Sequence, residues 1–156
     1  MINLKSQKTI LSALLLLVLS SVFSISSYSQ ETITAAITHD GIERSYILYV
    51  PANYTGKKPV PLLLNFHGYT SNATEQMFYG DFRPIAEEEG FLIVHPNGTL
   101  DFSGNTHFNV GWGGSTVDDI GFTSALLDTI IAEYKIDKKR IYSTCLLYTS
   151  PSPRDA

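Results

Sequence analysis

The sequence has a single cysteine, Cys145. One copy therefore holds no disulfide, and no Cys-based metal motif can be drawn on it. Basic residues are scarce: 11 Lys and Arg stand against 15 Asp and Glu, a formal charge of −4. That balance excludes the positive field by which a protein gathers nucleic acid. No apolar run approaches the roughly 20 residues needed to cross a bilayer as a helix. There is no internal repeat and no low-complexity linker. At 156 residues, one domain is the expectation.

The longest apolar run, Ile10 to Leu19, sits at the N-terminus behind Lys5 and Lys8. A short positive region, an apolar region of this length and the small residues Ser27 and Ser29 around Tyr28 form the pattern of a secretory signal. Cleavage is expected after Ser29, leaving Gln30 as the mature terminus. The competing reading, a membrane anchor, needs a longer run, and serines dilute this one from Ser20 onward. No cysteine follows the run, which argues against a lipoprotein. The expectation is a mature protein exported to the periplasm or the medium, with no anchor after cleavage.

The rest alternates strands and helices. Arg44 to Pro51, "RSYILYVP", is rich in β-branched and aromatic residues and stops at a proline, as a strand does. Val60 to Gly68, "VPLLLNFHG", is an almost unbroken apolar run of strand length, expected of a strand covered on both faces. Asn72 with Glu75 three residues on marks a helix start. "RPIAEEEG" is a short helix whose Gly90 suits the position just past the end. Phe91 to Pro96, "FLIVHP", is a second buried strand. Then comes a long polar, Gly-rich loop, "NGTLDFSGNTHFNVGWGGST". Loops this long in compact domains are functional or disordered.

The clearest helix follows, in "TVDDIGFTSALLDTIIAEYKI". Thr116 and Asp119 are spaced as a capping pair, with Asp118 and Asp119 where the helix dipole favours negative charge. Ile120, Leu127, Ile130, Ile131 and Tyr134 form an apolar stripe at helical spacing. "IYST" resumes as a strand. Strands of buried composition separated by helices predict an α/β fold with a mostly parallel sheet and helices on both faces.

Among residues that could carry chemistry, Asp118 and Asp119 could be an acid/base pair, but neighbours on a helix point apart, and capping explains them better. His39, His95 and His107 lack metal-ligand spacing and are expected at the surface or in loops. Phe108 and Trp112, in the Gly-rich loop, could line an acyl or aromatic substrate pocket; equally, Trp112 could cover the core. No residue pattern calls for a cofactor or a metal.

Four segments, "LLLNFHGYTSN", "FLIVHPNGT", "GWGGSTVDDIGF" and "YKIDKKRIYST", occur in this order in secreted α/β-hydrolase esterases. The chain resembles the polyhydroxybutyrate depolymerase and feruloyl esterase group over roughly Gly41 to Thr144. "HG" after a strand is common by chance. "VDDIGF" leading through a helix into Asp137-x-x-Arg140-Ile-Tyr is far more specific. The resemblance implies the N-terminal part of an α/β-hydrolase fold. It puts one oxyanion-hole donor, a backbone N–H, on Tyr69 beside Gly68, whose missing side chain lets substrate approach; the plainer alternative is that Gly68 only makes a tight turn. His67 is then a loop-orienting residue and not the catalytic base, since the group's catalytic His comes near the C-terminus.

After Thr144 the resemblance implies a Gly-x-Ser-x-Gly nucleophile elbow at 145–149, with the serine where Leu147 stands. The sequence departs from it. Cys145 is a poor substitute nucleophile: Leu147 would fall where the strained turn needs a very small residue, and Pro151 and Pro153 would prevent the helix an elbow feeds. Cys145 to Asp155, "CLLYTSPSPRD", reads instead as the translation of an adapter used in transposase-based sequencing libraries. The expectation is a non-native tail at 145–156, with the Ser, Asp and His triad encoded beyond Thr144. The domains expected are thus a signal peptide (1–29), the N-terminal part of an esterase domain (30–144) and the tail.

Two function classes stand. One is a piece of a secreted serine esterase acting on a small-molecule or polymeric substrate, either a polyester or a plant-derived acyl ester, and inactive as it stands. The other is an exported, non-catalytic α/β domain that binds a ligand through the Gly-rich loop. Within the enzyme class, a peptidase of the same fold is a further alternative.

Overall fold

The computed structural model describes residues 29–111 and 113–145. The signal-sequence reading of residues 1–29 falls almost wholly outside that range. So do Trp112, Leu147 and the tail after Cys145.

Among the described residues seven strands and three helices follow one another: β1 (Glu31–His39), β2 (Ile42–Val50), β3 (Val60–Phe66), α1 (Ala73–Tyr79), α2 (Arg83–Glu89), β4 (Leu92–Pro96), β5 (Thr99–Leu100), β6 (Thr106–His107), α3 (Asp119–Glu133) and β7 (Ile136–Cys145). Five strands make one sheet in the order β1-β2-β4-β3-β7. The sheet is mixed. The β3–β4 and β3–β7 pairs are parallel, and β1–β2 and β2–β4 are antiparallel. The expectation of a mostly parallel sheet holds for the crossover half and is corrected at the other edge. There Asp40 and Gly41, both with positive φ, close a two-residue hairpin between the paired His39 and Ile42, and strands joined so tightly must run antiparallel.

Helices cover both faces, as expected. On one face α3 sets Phe122, Leu126 and Ile130 against Leu48, Leu62, Leu64, Leu92 and Val94. On the other, α1 contributes Ala73 and Met77 over Ile47, and α2 contributes Ala86 over Tyr49 and Ile93. The α3 stripe is therefore centred on 122, 126 and 130. Leu127, Ile131 and Tyr134 flank it and pack partly buried, while Ile120 is 79% exposed. β4 is the buried strand expected, and His95 is completely buried within it.

Local signals act as the sequence suggests. The Asn72 side chain accepts from the Glu75 N–H and caps α1, and Gly90 ends α2 in the left-handed region. At α3 the cap is Asp118, which accepts from the Gly121 N–H, and not the Thr116–Asp119 pair. Asp118 is held below the usual carboxylate range chiefly by that bond. The long Gly-rich segment is not featureless: β5 and β6 pair as a small antiparallel ribbon.

Candidate active site

The ends of β3 and β7 define the site. These neighbouring strands run parallel, and beyond a register shift near Val60 they pair up to Phe66 opposite Cys145. The chain leaves β3 as His67-Gly68-Tyr69-Thr70, and Thr70 takes a positive φ of 67°, an unfavourable conformation for a branched residue that the surroundings must enforce. The Cys145 sulfur lies 3.9 Å from the His67 carbonyl oxygen. The end of β7 at Cys145 thus lies beside the start of the His67–Thr70 turn.

Several hydrogen bonds fasten that turn to the β5–β6 ribbon. The Thr70 N–H donates to the Thr106 carbonyl at 2.8 Å, and the Thr106 hydroxyl donates back to the Ser71 carbonyl at 2.6 Å. The Tyr69 hydroxyl donates to Asp101 Oδ2 at 2.6 Å and accepts from Asn105 Nδ2 at 2.8 Å. Asp101 is itself fixed, its other oxygen accepting from the Ser103 and Asn105 N–H groups. The Tyr69 bond, foremost among these interactions, lowers the Asp101 pKa, so the carboxylate is the form that holds the ring.

His67 is buried, and both ring nitrogens are occupied. Nε2 accepts from the Gly98 N–H at 2.9 Å, which leaves the proton on Nδ1 to be donated to the Gly68 carbonyl at 2.7 Å. Burial lowers its pKa, so the ring stays neutral and spans the turn and the ribbon. A ring engaged at both nitrogens is built to orient a loop, in line with the expectation for His67.

Phe108 is buried and stacks edge-on to Phe66, with its centroid 4.7 Å from that of His67. It also lines a cleft of about 350 Å³ at the end of β7, with Phe66, Val110, Ile120 and Thr123. The expectation that His39, His95 and His107 lie at the surface or in loops is corrected for His95 and His107, which are buried on strands. His95 is in the core, His107 is buried on β6 with Nδ1 3.2 Å from the Thr99 carbonyl oxygen, and His39 is half-buried on β1. His39, Asp40 and Asp118 bring one ligand atom each within 4.8 Å of one another, but Asp118 already serves as the α3 cap.

Asp101, Asn105 and Thr106 were not singled out by sequence reasoning. The signal was present in "DFSGN", an aspartate two and four residues before N–H groups it can accept from, with a glycine at the turn. Asp119 was assigned to capping but does something else. It pairs with Arg44 in the core and accepts from the Asn109 N–H at 2.6 Å, which anchors the far end of the Gly-rich loop.

A mixed sheet with helices on both faces, matched by the solved structures of esterases below, is a partial α/β-hydrolase fold. No protein-family model matches the chain. The chain is similar in sequence to the bifunctional acetylxylan esterase/xylanase XynS20E of Neocallimastix patriciarum, 30% identical over 112 residues that make up 72% of this chain and 15% of that protein. It is also similar to feruloyl esterase B of Piromyces equi, 29% identical over 100 residues, 64% of this chain and 18% of the relative. Among solved structures it superposes on an S-formylglutathione hydrolase from Agrobacterium tumefaciens with a TM-score of 0.59 at 18% identity, covering 75% of this chain and 51% of that one. The chain thus spans less than a fifth of the curated relatives it matches and about half of the solved structure. Among the described residues no helix is long and apolar enough to cross a membrane.

Proposed function

We propose that the chain is the N-terminal part of an exported serine carboxylic-ester hydrolase, and that its substrate is a plant-derived acyl ester. The observation that carries the reading is the meeting of the two strand ends: Asn65 lies opposite Thr144, the last residue before the tail, so β7 ends beside the turn that begins at His67. A nucleophile on a sharp turn just after β7 would stand next to the Tyr69 peptide. In acyl transfer the serine oxygen attacks the ester carbon while a histidine takes its proton, and the carbonyl oxygen becomes an oxyanion. Backbone N–H groups aimed at that oxygen stabilise the charge. In this reading Tyr69 supplies one N–H, the residue after the serine supplies the other, and Gly68 keeps the approach open. Phe108 forms part of the wall beside them. Acetylxylan and feruloyl esterases among the relatives favour plant acyl esters over a polyester. The nucleophile, acid and base belong to sequence beyond Thr144, with residues 145–156 a non-native tail.

The test is to recover the genomic sequence following Thr144 from an adapter-free library and express the gene product. The expected result is Gly-x-Ser-x-Gly directly after Thr144 and hydrolysis of p-nitrophenyl acetate and feruloylated xylan fragments, abolished by a serine-directed phosphonate. The 156-residue chain as written should be inactive, since a hole donor without nucleophile and base supplies little of the rate. Recovering the codons of Cys145 to Asp155 in genomic DNA would overturn the reading of the tail. A gene product without phosphonate-sensitive turnover would overturn the enzyme.

A further inference from the structure

The oxyanion role concerns only the backbone of Tyr69, yet its side chain is held as firmly as any on this surface. The hydroxyl donates to Asp101 at 2.6 Å and accepts from Asn105 at 2.8 Å. Asp101 and Asn105 in turn lock to each other: the Asp101 N–H donates to the Asn105 carbonyl, and the Asn105 N–H to Asp101 Oδ1, each at 2.8 Å. The next residue, Thr70, sits at a φ of 67°, which a β-branched residue does not adopt unaided. The peptide that carries the Tyr69 N–H is held at its other end, where the Gly68 carbonyl accepts from His67 Nδ1 at 2.7 Å and from the Ser71 N–H at 3.2 Å. The ring of Tyr69 adds a second hold, because it fixes the Cα between that peptide and the strained Thr70.

We propose that Asp101 is a positioning residue of the esterase. By holding the Tyr69 hydroxyl, it keeps the Tyr69 N–H aimed at the developing oxyanion. The proposal rests on the reading that Tyr69 supplies a hole donor. Asp101 touches neither substrate nor reacting atoms in this scheme; it acts through the ring. The Thr70–Thr106 and Thr106–Ser71 bonds hold the far side of the turn. Loss of the Oδ2 contact alone therefore loosens one peptide, while Oδ1 keeps the loop in place.

The test uses the gene product carrying its native downstream sequence, with p-nitrophenyl acetate as substrate. Tyr69→Phe removes the hydroxyl and keeps the ring. Asp101→Asn keeps Oδ1 for the loop N–H groups and loses the acceptor for the phenol. Each is expected to lower kcat about tenfold, short of the 10²–10³ lost with a hole donor outright, with KM and the unfolding midpoint unchanged. The double variant is expected to lose no more than either single one, because both remove the same contact. Additive losses, a raised KM with intact kcat, or full kcat in Tyr69→Phe would overturn the role of Asp101 while leaving the esterase standing. An unsubstituted enzyme without phosphonate-sensitive activity would bring down both.

Discussion

Arg44 and Asp119 form an ion pair that is almost wholly buried, joining the first residues of β2 to the first turn of α3. The guanidinium also lies 3.9 Å from the centroid of Phe122 and donates to the Asn97 carbonyl at 3.2 Å. One aspartate thus ties together the core helix, the β2 strand and, through Asn109, the Gly-rich loop. Removing one partner leaves the other charge buried and unpaired, which costs about 3–5 kcal/mol.

The first prediction follows from that pair. In the gene product with its downstream sequence, Asp119→Ala should lower stability by about 3 kcal/mol or more, measured by urea unfolding. Pairing it with Arg44→Met should recover much of the loss, since an apolar pair of similar volume needs no counter-charge. A double variant no more stable than Asp119→Ala would show that hydrogen bonding to the loop, and not charge pairing, is what Asp119 supplies.

A second prediction concerns the close approach of the two ribbon ends. A Cβ on Gly98 would lie 2.2 Å from the His107 carbonyl oxygen, and a backbone atom cannot swing aside as a side chain can. Gly98→Ala should force the strands apart and cost roughly 1–3 kcal/mol. It should also lengthen the Gly98–His67 bond, because the moving residue carries that N–H. Nitrogen chemical shifts of the His67 ring would report it, with Nε2 moving toward the value of an unbonded acceptor. Unchanged shifts together with unchanged stability would mean that the ribbon is looser than the structure shows.

A third prediction concerns pH. Burial within β4 pushes the His95 pKa down to about 4, with the Arg83 charge adding to the effect. Its ring nitrogens have no hydrogen-bond partner among the described residues. In the unfolded chain the ring titrates near 6.5, so between pH 6.5 and 4 the unfolded state binds the extra proton. Stability should be intact above about 6.5 and fall by about 3 kcal/mol as the pH drops toward 4. His67, lowered in the same direction, adds to the trend. Urea unfolding at pH 7 and pH 4.5 separates the two: His95→Phe should be markedly less pH-sensitive than the unsubstituted protein. Equal sensitivity would assign the loss elsewhere.

What the sequence made legible divides along physical lines. β3, β4, the Asn72 cap and the Gly90 terminus rest on local rules, namely strand-length apolar runs and side chains that satisfy their own neighbours, and these read correctly. β1 was missed because its Thr and Ala alternation is only weakly amphipathic, and the Asp40-Gly41 turn that announces the hairpin is a single dipeptide. Asp118 and Asp119 look equivalent in sequence, since an acid in the first turn satisfies the dipole either way. Only a distant arginine, Arg44, decides which caps and which is buried. His95 sits in an apolar strand with nothing local to mark it as core. The Tyr69–Asp101 contact spans 32 residues, and no local rule reaches that far.

The last prediction concerns the 156-residue chain by itself. Among the described residues β7 is an edge strand, hydrogen-bonded to β3 on one side only, and Tyr142 on it is 57% exposed. Val110 and Ile120, beside the cleft at its end, are exposed as well. An apolar edge of this kind is a template for pairing with other chains. It is blunted here only by Lys138, Lys139 and Arg140 at the start of the strand. A unit of this size buries a limited apolar surface against a backbone entropy cost of about 1–2 kcal/mol per ordered residue. The chain from Gln30 to Ala156 should therefore self-associate, eluting ahead of a monomer on size exclusion, with a broad urea transition by circular dichroism. Tyr142→Lys should shift elution toward the monomer, because a charge on the exposed edge opposes pairing without touching the β3 register. A monomeric peak with one sharp, reversible transition in the unsubstituted chain would show that the unit is self-sufficient.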